Sequence, residues 1–505
     1  MKKNLQLLAV VIIVLLLVIF VRGYWDRWVL EMLNIIISLT VLLIGVVIFF
    51  ENRDPSKTIS WLIVLASFPI VGFIFYIVFG QSYRKRRLFR KRTFFDDHVM
   101  QQLYETEGEN HHAHLALLGE HQQTFLKLSK RLGKSPISFT TETKVLTNGK
   151  VTYEAIYRAI KEARHHIHLE YYIVRDDTVG TKFKDLLIEK AREGVEVRFL
   201  YDAVGSWLLS KGYRKELEAA GAQVVSFFPV KLPFLNHKVN YRNHRKIVVI
   251  DGNVGFIGGL NIGDEYLGQK KNGFPFWRDT HLMVKGEAVH SLQLIFLQDW
   301  YYMTGESIMS PAYMPARPVK EANLGGVQMV ASGPDEEWES IKHLFFSMIV
   351  SAKKSIWIAS PYFIPDADIL TALRIAALSG IDVKILVPVR PDKRIVFYAS
   401  RSYFPELLEA GVKIHEYERG FMHSKIIIVD GELASIGTAN MDMRSFHLNF
   451  EVNAFLFRTS STNELVTDFR EDLLHSREIT LDQFKRRSLL SRTIESTSRL
   501  LSPLL

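Results

Sequence analysis

Two stretches of the chain carry the same pattern: NHRKIVVIDGNVGFIGGLNIGDEY at residues 243–266 and MHSKIIIVDGELASIGTANMDMRS at residues 422–445. One His, one Lys, one Asp, one Gly and one Asn recur in them with identical spacing: His244, Lys246, Asp251, Gly258 and Asn261, then His423, Lys425, Asp430, Gly437 and Asn440. A single short motif often matches by chance, but two copies with the same internal spacing do not. The sequence therefore predicts an internal duplication.

Each motif combines polar residues with a strand-like run of Ile and Val. In an extended chain, residues i and i+2 point to the same face, so His423 and Lys425 reach into one space. The apolar run that follows is typical of a buried strand, and the Asp430–Gly431 pair that ends it favours a turn. One isolated copy would suit a surface strand, whereas the duplication favours two half-sites.

Length, charge and composition limit the class of protein. The chain has 505 residues, which suits a membrane segment plus two similar halves. It contains no cysteine, which excludes disulfides and thiolate metal sites. The formal charge of +9 indicates an anionic partner, either nucleic acid or anionic lipid.

The N-terminal region is strongly apolar. Residues 5–21, 33–50 and 61–80 each approach the length needed to cross a bilayer, which predicts a membrane anchor of two or three transmembrane helices over residues 1–82. The basic run YRKRRLFRKR at 83–92 follows directly and predicts that this end lies in the cytoplasm. Because this charge sits beside the membrane, anionic lipid is favoured over nucleic acid as the partner.

The remaining sequence divides into four predicted parts. Residues 83–134 form a basic juxtamembrane and helical connector, 135–305 a first half, 306–325 a Pro-rich linker, and 326–505 a second half that ends in an amphipathic helix. Helical and strand patterns alternate in both halves, which predicts an α/β fold with helix-flanked, mixed, largely parallel sheets. The cluster His111, His112 and His114 is more typical of a solvated face than of a metal site.

The repeated residues suit phosphate chemistry. Lysine neutralises phosphate oxygens, and the amides of Asn261 and Asn440 can donate hydrogen bonds to them. If the halves pack about a pseudo-twofold axis, both histidines meet at one phosphorus, where one attacks and the other protonates the leaving alcohol.

A histidine nucleophile needs an acceptor on its second ring nitrogen. Asp279 and Glu451, downstream in corresponding strands, are the predicted acceptors, with an ion pair to Arg278 or Arg444 as the alternative. Asp251 and Asp430 are counted with the catalytic set, although their position before a glycine also suits a turn or scaffold.

The duplicated His-x-Lys-x4-Asp pattern resembles the signature of the phospholipase D superfamily. Within it, FWRDTHLMV, GTANMDMRSFHLNFEVNAF, the apolar N-terminus and the terminal SPLL resemble the bacterial cardiolipin synthase family. The resemblance implies a phosphatidyltransferase in the bacterial plasma membrane with a cytoplasmic catalytic part. It implies that phosphatidylglycerol is both donor and acceptor, and that no nucleotide, metal or other cofactor is needed.

The same resemblance implies His244 as nucleophile and His423 as general acid and base, although the sequence itself leaves their order open. Three alternatives use the same scaffold: a phospholipase D, a phosphatidylserine synthase and a nuclease, the last disfavoured by the predicted spans. An alternative of another class is a non-catalytic scaffold that binds anionic lipid through residues 84–92, which two intact motifs disfavour.

Overall fold

The computed structural model describes residues 27–50, 55–67, 72, 120–229, 240–268, 274–315 and 325–505. The chain divides into a small N-terminal unit, residues 1–84 with 234–237, and a large unit that holds the rest. Both duplicated motifs lie in the large unit.

Two helices are described in the N-terminal unit, α1 at Arg27–Phe50 and α2 at Pro55–Ser67. They pack together, because a Cβ atom at Gly45 of α1 would lie 3.3 Å from Leu62 of α2. Among the described residues, no helix combines the length and the apolar character that crossing a membrane requires. The spans predicted at 33–50 and 61–80 are therefore not confirmed as membrane helices. The span predicted at 5–21 lies outside the described residues, as does most of 68–80.

The predicted connector is described only at its end. Residues 83–119, with the basic run and the three clustered histidines, lie outside the described part. Helix α3, Glu120–Gly133, follows and buries Phe125 and Leu126 in the core of the second half. The ring of Phe125 lies 5.7 Å from that of Phe457, so this piece of the connector is part of the second half's packing.

The strands of the first half are β1 Thr141–Thr147, β2 His166–Tyr171, β3 Glu196–Asp202, β4 Gln223–Phe227, β5 Arg242–Asn243, β6 Ile247–Ile250, β7 Val254–Gly258, β8 Trp277–Arg278 and β9 Thr280–Gly286. Seven of them form one sheet in the order β1-β9-β7-β6-β2-β3-β4, and the short strands β5 and β8 lie outside it. Its α-helices are α4 Asn148–Glu162, α5 Thr178–Arg192, α6 Lys211–Ala219 and α7 Ala288–Thr304. Short 3-10 turns occur at Asp264–Leu267 and Pro311–Tyr313.

The second half repeats this order as β10-β19-β17-β16-β11-β13-β14, with β20 added at the edge. Its strands are β10 Gly326–Ser332, β11 Ser355–Ala359, β12 Phe363–Ile364, β13 Asp382–Pro388, β14 Lys413–Tyr417, β15 Phe421–Met422, β16 Ile426–Val429, β17 Leu433–Gly437, β18 Met441–Asp442, β19 Asn449–Phe457 and β20 Ser476–Ile479. Its helices are α8 Ser340–Ser351, α9 Ala367–Leu378, α10 Arg394–Arg401, α11 Phe404–Glu409, α12 Met443–His447, α13 Ser460–Leu474, α14 Leu481–Lys485 and α15 Leu489–Arg499, with a 3-10 turn at Ser502–Leu504.

The prediction of largely parallel sheets is wrong. Along the strand orders given above, β2-β3-β4 and β11-β13-β14 pair in parallel, and the other neighbours are antiparallel. The cause is in the motif itself, because the Asp-Gly turns at 251–252 and 430–431 join β6 to β7 and β16 to β17 as hairpins. A tight hairpin can connect only antiparallel strands.

One hydrophobic cluster contains residues of both halves. The apolar runs of both motifs meet in it, where Ile247 and Val249 of β6 lie in the same buried cluster as Ile426 and Ile428 of β16. Each fully buried side chain of this kind contributes about 1.5–3 kcal/mol relative to exposure. Burial of these runs therefore fixes the two motif strands against one another.

The C-terminal helix α15 is amphipathic, as predicted. One face packs on the second half, where Glu495 is buried and accepts from Arg487 at 2.7 Å, and Arg499 donates to Glu406 at 2.7 Å. The other face exposes Leu489 and Leu490. The first face therefore contributes to the packing of the second half.

Candidate active site

Short strands from each half pair with the other half directly before the two motif histidines. Strand β5 pairs in parallel with the start of β19, and β15 pairs in parallel with β8. The backbone N–H of His244 then donates to the carbonyl of Phe450 at 2.9 Å, and that of His423 donates to Arg278 at 2.7 Å. Each histidine is thus held by backbone of the opposite half.

This exchange brings each histidine beside a carboxylate of the opposite half. His244 Nδ1 lies 2.9 Å from Glu451 Oε2, and His423 Nδ1 lies 2.6 Å from Asp279 Oδ2. Both carboxylates are fully buried, whereas His244 and His423 keep 9% and 8% of their surface exposed. The imidazoles are therefore fixed on one side and reachable from the other.

The two arginines that were alternative partners bond elsewhere. Arg278 donates to Asp472 at 2.7 Å and to Asp468 at 3.1 Å. Arg444 donates to the carbonyls of Asn240 and Leu504, at 2.6 and 3.1 Å. These side-chain bonds of the two arginines thus go to groups other than the carboxylates of Asp279 and Glu451.

The motif lysines lie directly before β6 and β16, and each bonds to the backbone of its own motif histidine. Lys246 Nζ donates to the carbonyl of His244 at 2.6 Å, and Lys425 Nζ donates to that of His423 at 2.5 Å. Both lysine side chains are buried. Each bond uses one of three ammonium hydrogens, which leaves donors for an anion.

Burial controls the protonation of the two histidines. Burial lowers the pKa of His244 to about 4 against the opposing effect of Glu451, and lowers the pKa of His423 to about 4 with the help of Lys425. Burial opposes ionisation of Glu451, but His244 and Lys246 outweigh it and hold the pKa of that carboxyl to about 2. The free site therefore holds neutral imidazoles against ionised carboxylates at neutral pH.

The lysines also respond to burial and to each other. Burial lowers the pKa of Lys246 to about 7, with Glu451 opposing and Lys425 adding to the shift. The pKa of Lys425 falls to about 8, again through burial, and Asp279 opposes the shift. This mutual influence places the polar groups of both motifs in one electrostatic environment.

A neutral histidine with a carboxylate at Nδ1 carries its proton on that nitrogen. The hydrogen-bond partner assigns this tautomer, because an ionised carboxylate can only accept. Nε2 of each ring is then unprotonated and free to attack or to receive a proton. The arrangement can perform nucleophilic and general acid–base chemistry at one centre.

Asp251 and Asp430 bond to backbone N–H groups at the turns that end the two motif strands. Asp251 accepts from the backbone N–H groups of residues 164–166, and Asp430 does the same for residues 353–355. Both have positive φ, 52° and 56°, in the turn that ends the motif strand. Seven residues of near-extended chain separate each from its histidine, roughly 20 Å. Their hydrogen bonds hold the backbone at the start of β2 and β11.

The two asparagines are buried but contact groups other than the histidines. Asn261 donates to the hydroxyl of Tyr266 at 3.0 Å and accepts from the backbone N–H of Ile173 at 3.0 Å. Asn440 donates to Asp442 at 3.1 Å, and burial raises the pKa of that carboxyl to about 6.

Several aromatic residues at the site were not predicted. The ring of Tyr172 lies 4.9 Å from that of His244, and the ring of Trp277 lies 5.1 Å from that of His423. The sequence does carry a signal for Tyr172, because Tyr172 in LEYYIV and Tyr362 in ASPYFI both follow corresponding strands.

The described residues contain no group of three acidic, His or Cys side chains suited to a metal ion.

A duplicated α/β fold with two His-Lys pairs meeting between its halves defines the phospholipase D class of phosphodiester-processing proteins. A family model described as "Cardiolipin synthase, PLD-like domain" matches residues 156–300 and 345–473, and one described as "Phospholipase_D-nuclease N-terminal" matches 38–81. The chain belongs to the cardiolipin synthase family of the phospholipase D superfamily.

Named relatives support this assignment over the whole length. The chain is 63% identical to a cardiolipin synthase of Alkalihalophilus pseudofirmus and 60% identical to one of Halalkalibacterium halodurans, each alignment covering 100% of both chains. A solved phosphatidylserine synthase of Haemophilus influenzae Rd KW20 aligns with a TM-score of 0.58 at 14% identity, covering 75% of this chain and 100% of that one. At that identity, the likeness concerns the fold alone.

Proposed function

We propose that this chain is a phosphatidyltransferase that makes cardiolipin from two molecules of phosphatidylglycerol and releases glycerol. Family membership over the full length supports the activity. The observation that carries the mechanism is the crossed pairing of each histidine with a carboxylate of the other half. Phospholipid and an anionic membrane are the proposed partners, and nucleic acid is not.

The first step transfers the phosphatidyl group to the enzyme. Nε2 of His244 attacks the phosphorus of the donor lipid, the bond from phosphorus to the glycerol oxygen breaks, and that oxygen takes a proton from His423. Glu451 stabilises the positive ring that forms on His244. This step starts with His423 protonated, which the charge of the bound phosphodiester promotes by raising its pKa.

In the second step His423 acts as a base, and His244 becomes the leaving group. His423 removes the proton from the terminal hydroxyl of a second phosphatidylglycerol, and the freed oxygen attacks phosphorus. The bond from phosphorus to His244 breaks, which releases cardiolipin and restores the starting protonation. One phosphodiester replaces another, so the balance needs no nucleotide.

Lys246 and Lys425 are proposed to hold the non-bridging phosphate oxygens during both steps. Their buried ammonium groups act in a low-dielectric environment, where a charge acts more strongly on a developing anion than in water. Asn261 and Asn440 are proposed to support this cradle through their neighbours Tyr266 and Asp442. Asp279 is proposed to orient His423 in the same way that Glu451 orients His244.

The N-terminal unit is proposed to attach the enzyme to the bacterial plasma membrane, with the catalytic part in the cytoplasm. The charge-free residues 5–21, the apolar residues 33–50 and the match at 38–81 to a family N-terminal model support this. The division into 1–82, 83–134, 135–305, 306–325 and 326–505 is proposed with it. Alkaline carbonate extraction of cell membranes tests the anchor, since release of the full chain into the wash would contradict it.

The activity itself is tested with purified full-length chain and phosphatidylglycerol vesicles without nucleotide, by measuring lipid products and free glycerol. Cardiolipin with one equivalent of glycerol is expected. Phosphatidic acid in place of cardiolipin would mean that water is the acceptor, and the protein would then be a phospholipase. His423→Ala is the matched control, and retained cardiolipin formation in it would contradict the mechanism.

A further inference from the structure

The two strand pairs that cross between the halves carry residues of different character. In the pair of β5 with β19, Arg242 lies opposite Asn449. In the pair of β15 with β8, Phe421 lies opposite Trp277. Arg242 and Phe421 each stand two residues before a motif histidine, and the other two residues each stand two before an orienting carboxylate. The polar pair on the side of the first motif histidine thus corresponds to an aromatic pair on the side of the second.

A third position shows the same exchange. Tyr266 is the last residue of the first repeated stretch, residues 243–266, and Ser445 is the last residue of the second, residues 422–445. Both side chains are buried. Three positions that are aromatic in one copy of the site are therefore polar in the other copy, although the spacing of the repeat is kept.

The three aromatic side chains lie around the ring of His423. The ring of Trp277 is 5.1 Å from that of His423, the ring of Phe421 is 5.8 Å away and the ring of Tyr266 is 6.3 Å away. They also contact one another, since the ring of Trp277 lies 4.8 Å from that of Phe421 and 5.0 Å from that of Tyr266. These three side chains form an aromatic wall beside the proposed acid and base.

The polar atoms of the aromatic wall are engaged by protein groups. Nε1 of Trp277 donates to Asp279 at 3.4 Å, and the hydroxyl of Tyr266 accepts from Asn261 at 3.0 Å. Phe421 has no polar side-chain atom. The aromatic wall therefore offers mainly ring surface to its surroundings, and a water molecule beside it would lose hydrogen bonds that it makes in bulk solvent.

The side of His244 has a different character. Asn449, the counterpart of Trp277, donates to Glu451 at 3.0 Å, and its buried amide oxygen has no hydrogen-bond partner among the described residues. One ring, that of Tyr172, lies 4.9 Å from His244. An amide that can bind water thus occupies the place that holds the ring of Trp277 on the other side.

We infer that the aromatic wall makes the enzyme choose a lipid hydroxyl over water as the acceptor of the phosphatidyl group. The inference rests on the proposed function. In an in-line displacement the acceptor reaches phosphorus opposite His244, which is the side of His423. A water molecule there would give its proton to His423 and attack phosphorus, and the bond from phosphorus to His244 would break, which would release phosphatidic acid.

The aromatic wall acts on the two acceptors in opposite directions. Ring surface disfavours a water molecule, which needs hydrogen bonds on several sides. The same surface gives apolar contact to the carbons of a glycerol headgroup, which favours the lipid acceptor. Exclusion of water from a reactive intermediate is a general way in which a transferase avoids hydrolysis.

The test measures how one phosphoenzyme divides between two acceptors. Full-length enzyme is incubated with phosphatidylglycerol vesicles, and the ratio of phosphatidic acid to cardiolipin is measured by mass spectrometry. Trp277→Asn places the residue of the other copy in the aromatic wall and keeps an N–H donor for Asp279. We expect it to raise the ratio about 10-fold over the wild type, the size of effect that one lost apolar contact has on specificity. Because both products come from one intermediate, a smaller amount of folded enzyme leaves the ratio unchanged.

Three further variants separate the causes. Trp277→Phe keeps a ring but removes the N–H group, and its ratio should stay within about twofold of the wild type. Phe421→Leu opens the aromatic wall at a second position and should raise the ratio independently of Trp277. Trp338→Asn makes the same change at an exposed tryptophan of the second half and should keep the wild-type ratio.

The outcomes that would overturn the inference are distinct. Unchanged ratios in Trp277→Asn and Phe421→Leu would remove the role of the aromatic wall while cardiolipin synthesis by the wild type stands. A ratio in Trp277→Phe as high as in Trp277→Asn would also overturn it, because the bond to Asp279 would then be the cause. So would wall variants that are folded but form neither product, since the rings would then act before the acceptor is chosen. A wild type that makes no cardiolipin would overturn the proposed function itself.

Discussion

The imidazole of His244 is oriented by Glu451, whose carboxylate oxygen lies 2.9 Å from Nδ1 and belongs to the other half of the chain. His423 and Asp279 form the reciprocal pair at 2.6 Å. Neither half therefore contains a complete histidine–carboxylate pair. Each half supplies the reactive ring of one pair and the orienting group of the other, so correct packing of the halves is a condition for both.

Glu451→Gln should lower the rate of cardiolipin formation by about 10²–10⁴-fold, because an amide neither fixes the tautomer of His244 nor stabilises its positive form. The measurement is kcat on phosphatidylglycerol vesicles. Glu189→Gln, which changes an exposed carboxylate of α5, is the matched control and should behave as the wild type. A rate of Glu451→Gln close to that of the control would remove the orienting role.

The order of the two histidines can be separated by a donor lipid with an activated leaving group. A nitrophenol needs no general acid, so His423→Ala should still release it in a single burst and accumulate a phosphohistidine. His244→Ala should give neither the burst nor the adduct. The adduct is detected by mass spectrometry of peptides kept at alkaline pH. A burst from His244→Ala together with none from His423→Ala would exchange the assigned roles.

Asp251→Asn and Asp430→Asn should weaken folding rather than chemistry. Asparagine tolerates the positive φ of both turns, so the change isolates the loss of the charged acceptor for three backbone N–H groups. We expect a loss of about 1–3 kcal/mol in the free energy of unfolding for each variant. Denaturant unfolding measures it, and activity per folded molecule should stay within about twofold of wild type. A folded but inactive variant would return these residues to the catalytic set.

Much of the catalytic centre could be predicted from sequence because its spacing is local. The two-residue separation of His423 and Lys425 requires one shared face in any extended strand, and the Ile and Val run requires burial. Local spacing does not show which histidine Glu451 contacts, the one in its own half or His244 in the other half. It depends on β5 lying against β19, a contact between residues about 200 positions apart that no local pattern encodes.

The parallel-sheet prediction failed for a related reason. Alternation of helix and strand is a correct feature of both halves, but in the first half it describes only the parallel strands β2, β3 and β4 on one side of the sheet. An Asp-Gly pair at the end of a strand predicts a turn, and a turn this short joins antiparallel strands.

Acidification should destabilise the fold through its buried neutral histidines. The pKa of His244 and of His423 is about 4 in the folded protein, against 6.5 when exposed. Between these values the unfolded chain binds more protons, so stability is lost as pH falls from 6.5 towards 4. The effect is on the order of 3 kcal/mol for each ring. Other buried histidines, His166, His168 and His281, act in the same direction.

The contribution of the catalytic pair is isolated by comparing variants across that pH range. His244→Asn and His423→Asn keep a polar side chain but remove the titrating group. We expect the melting temperature of each variant to fall less steeply between pH 6.5 and pH 4.5 than that of the wild type, whatever its value at neutral pH. Parallel slopes for the wild type and both variants would show that the two rings titrate alike in the folded and unfolded chain. The site would then not hold its imidazoles neutral, and the nucleophile would require another means of losing its proton.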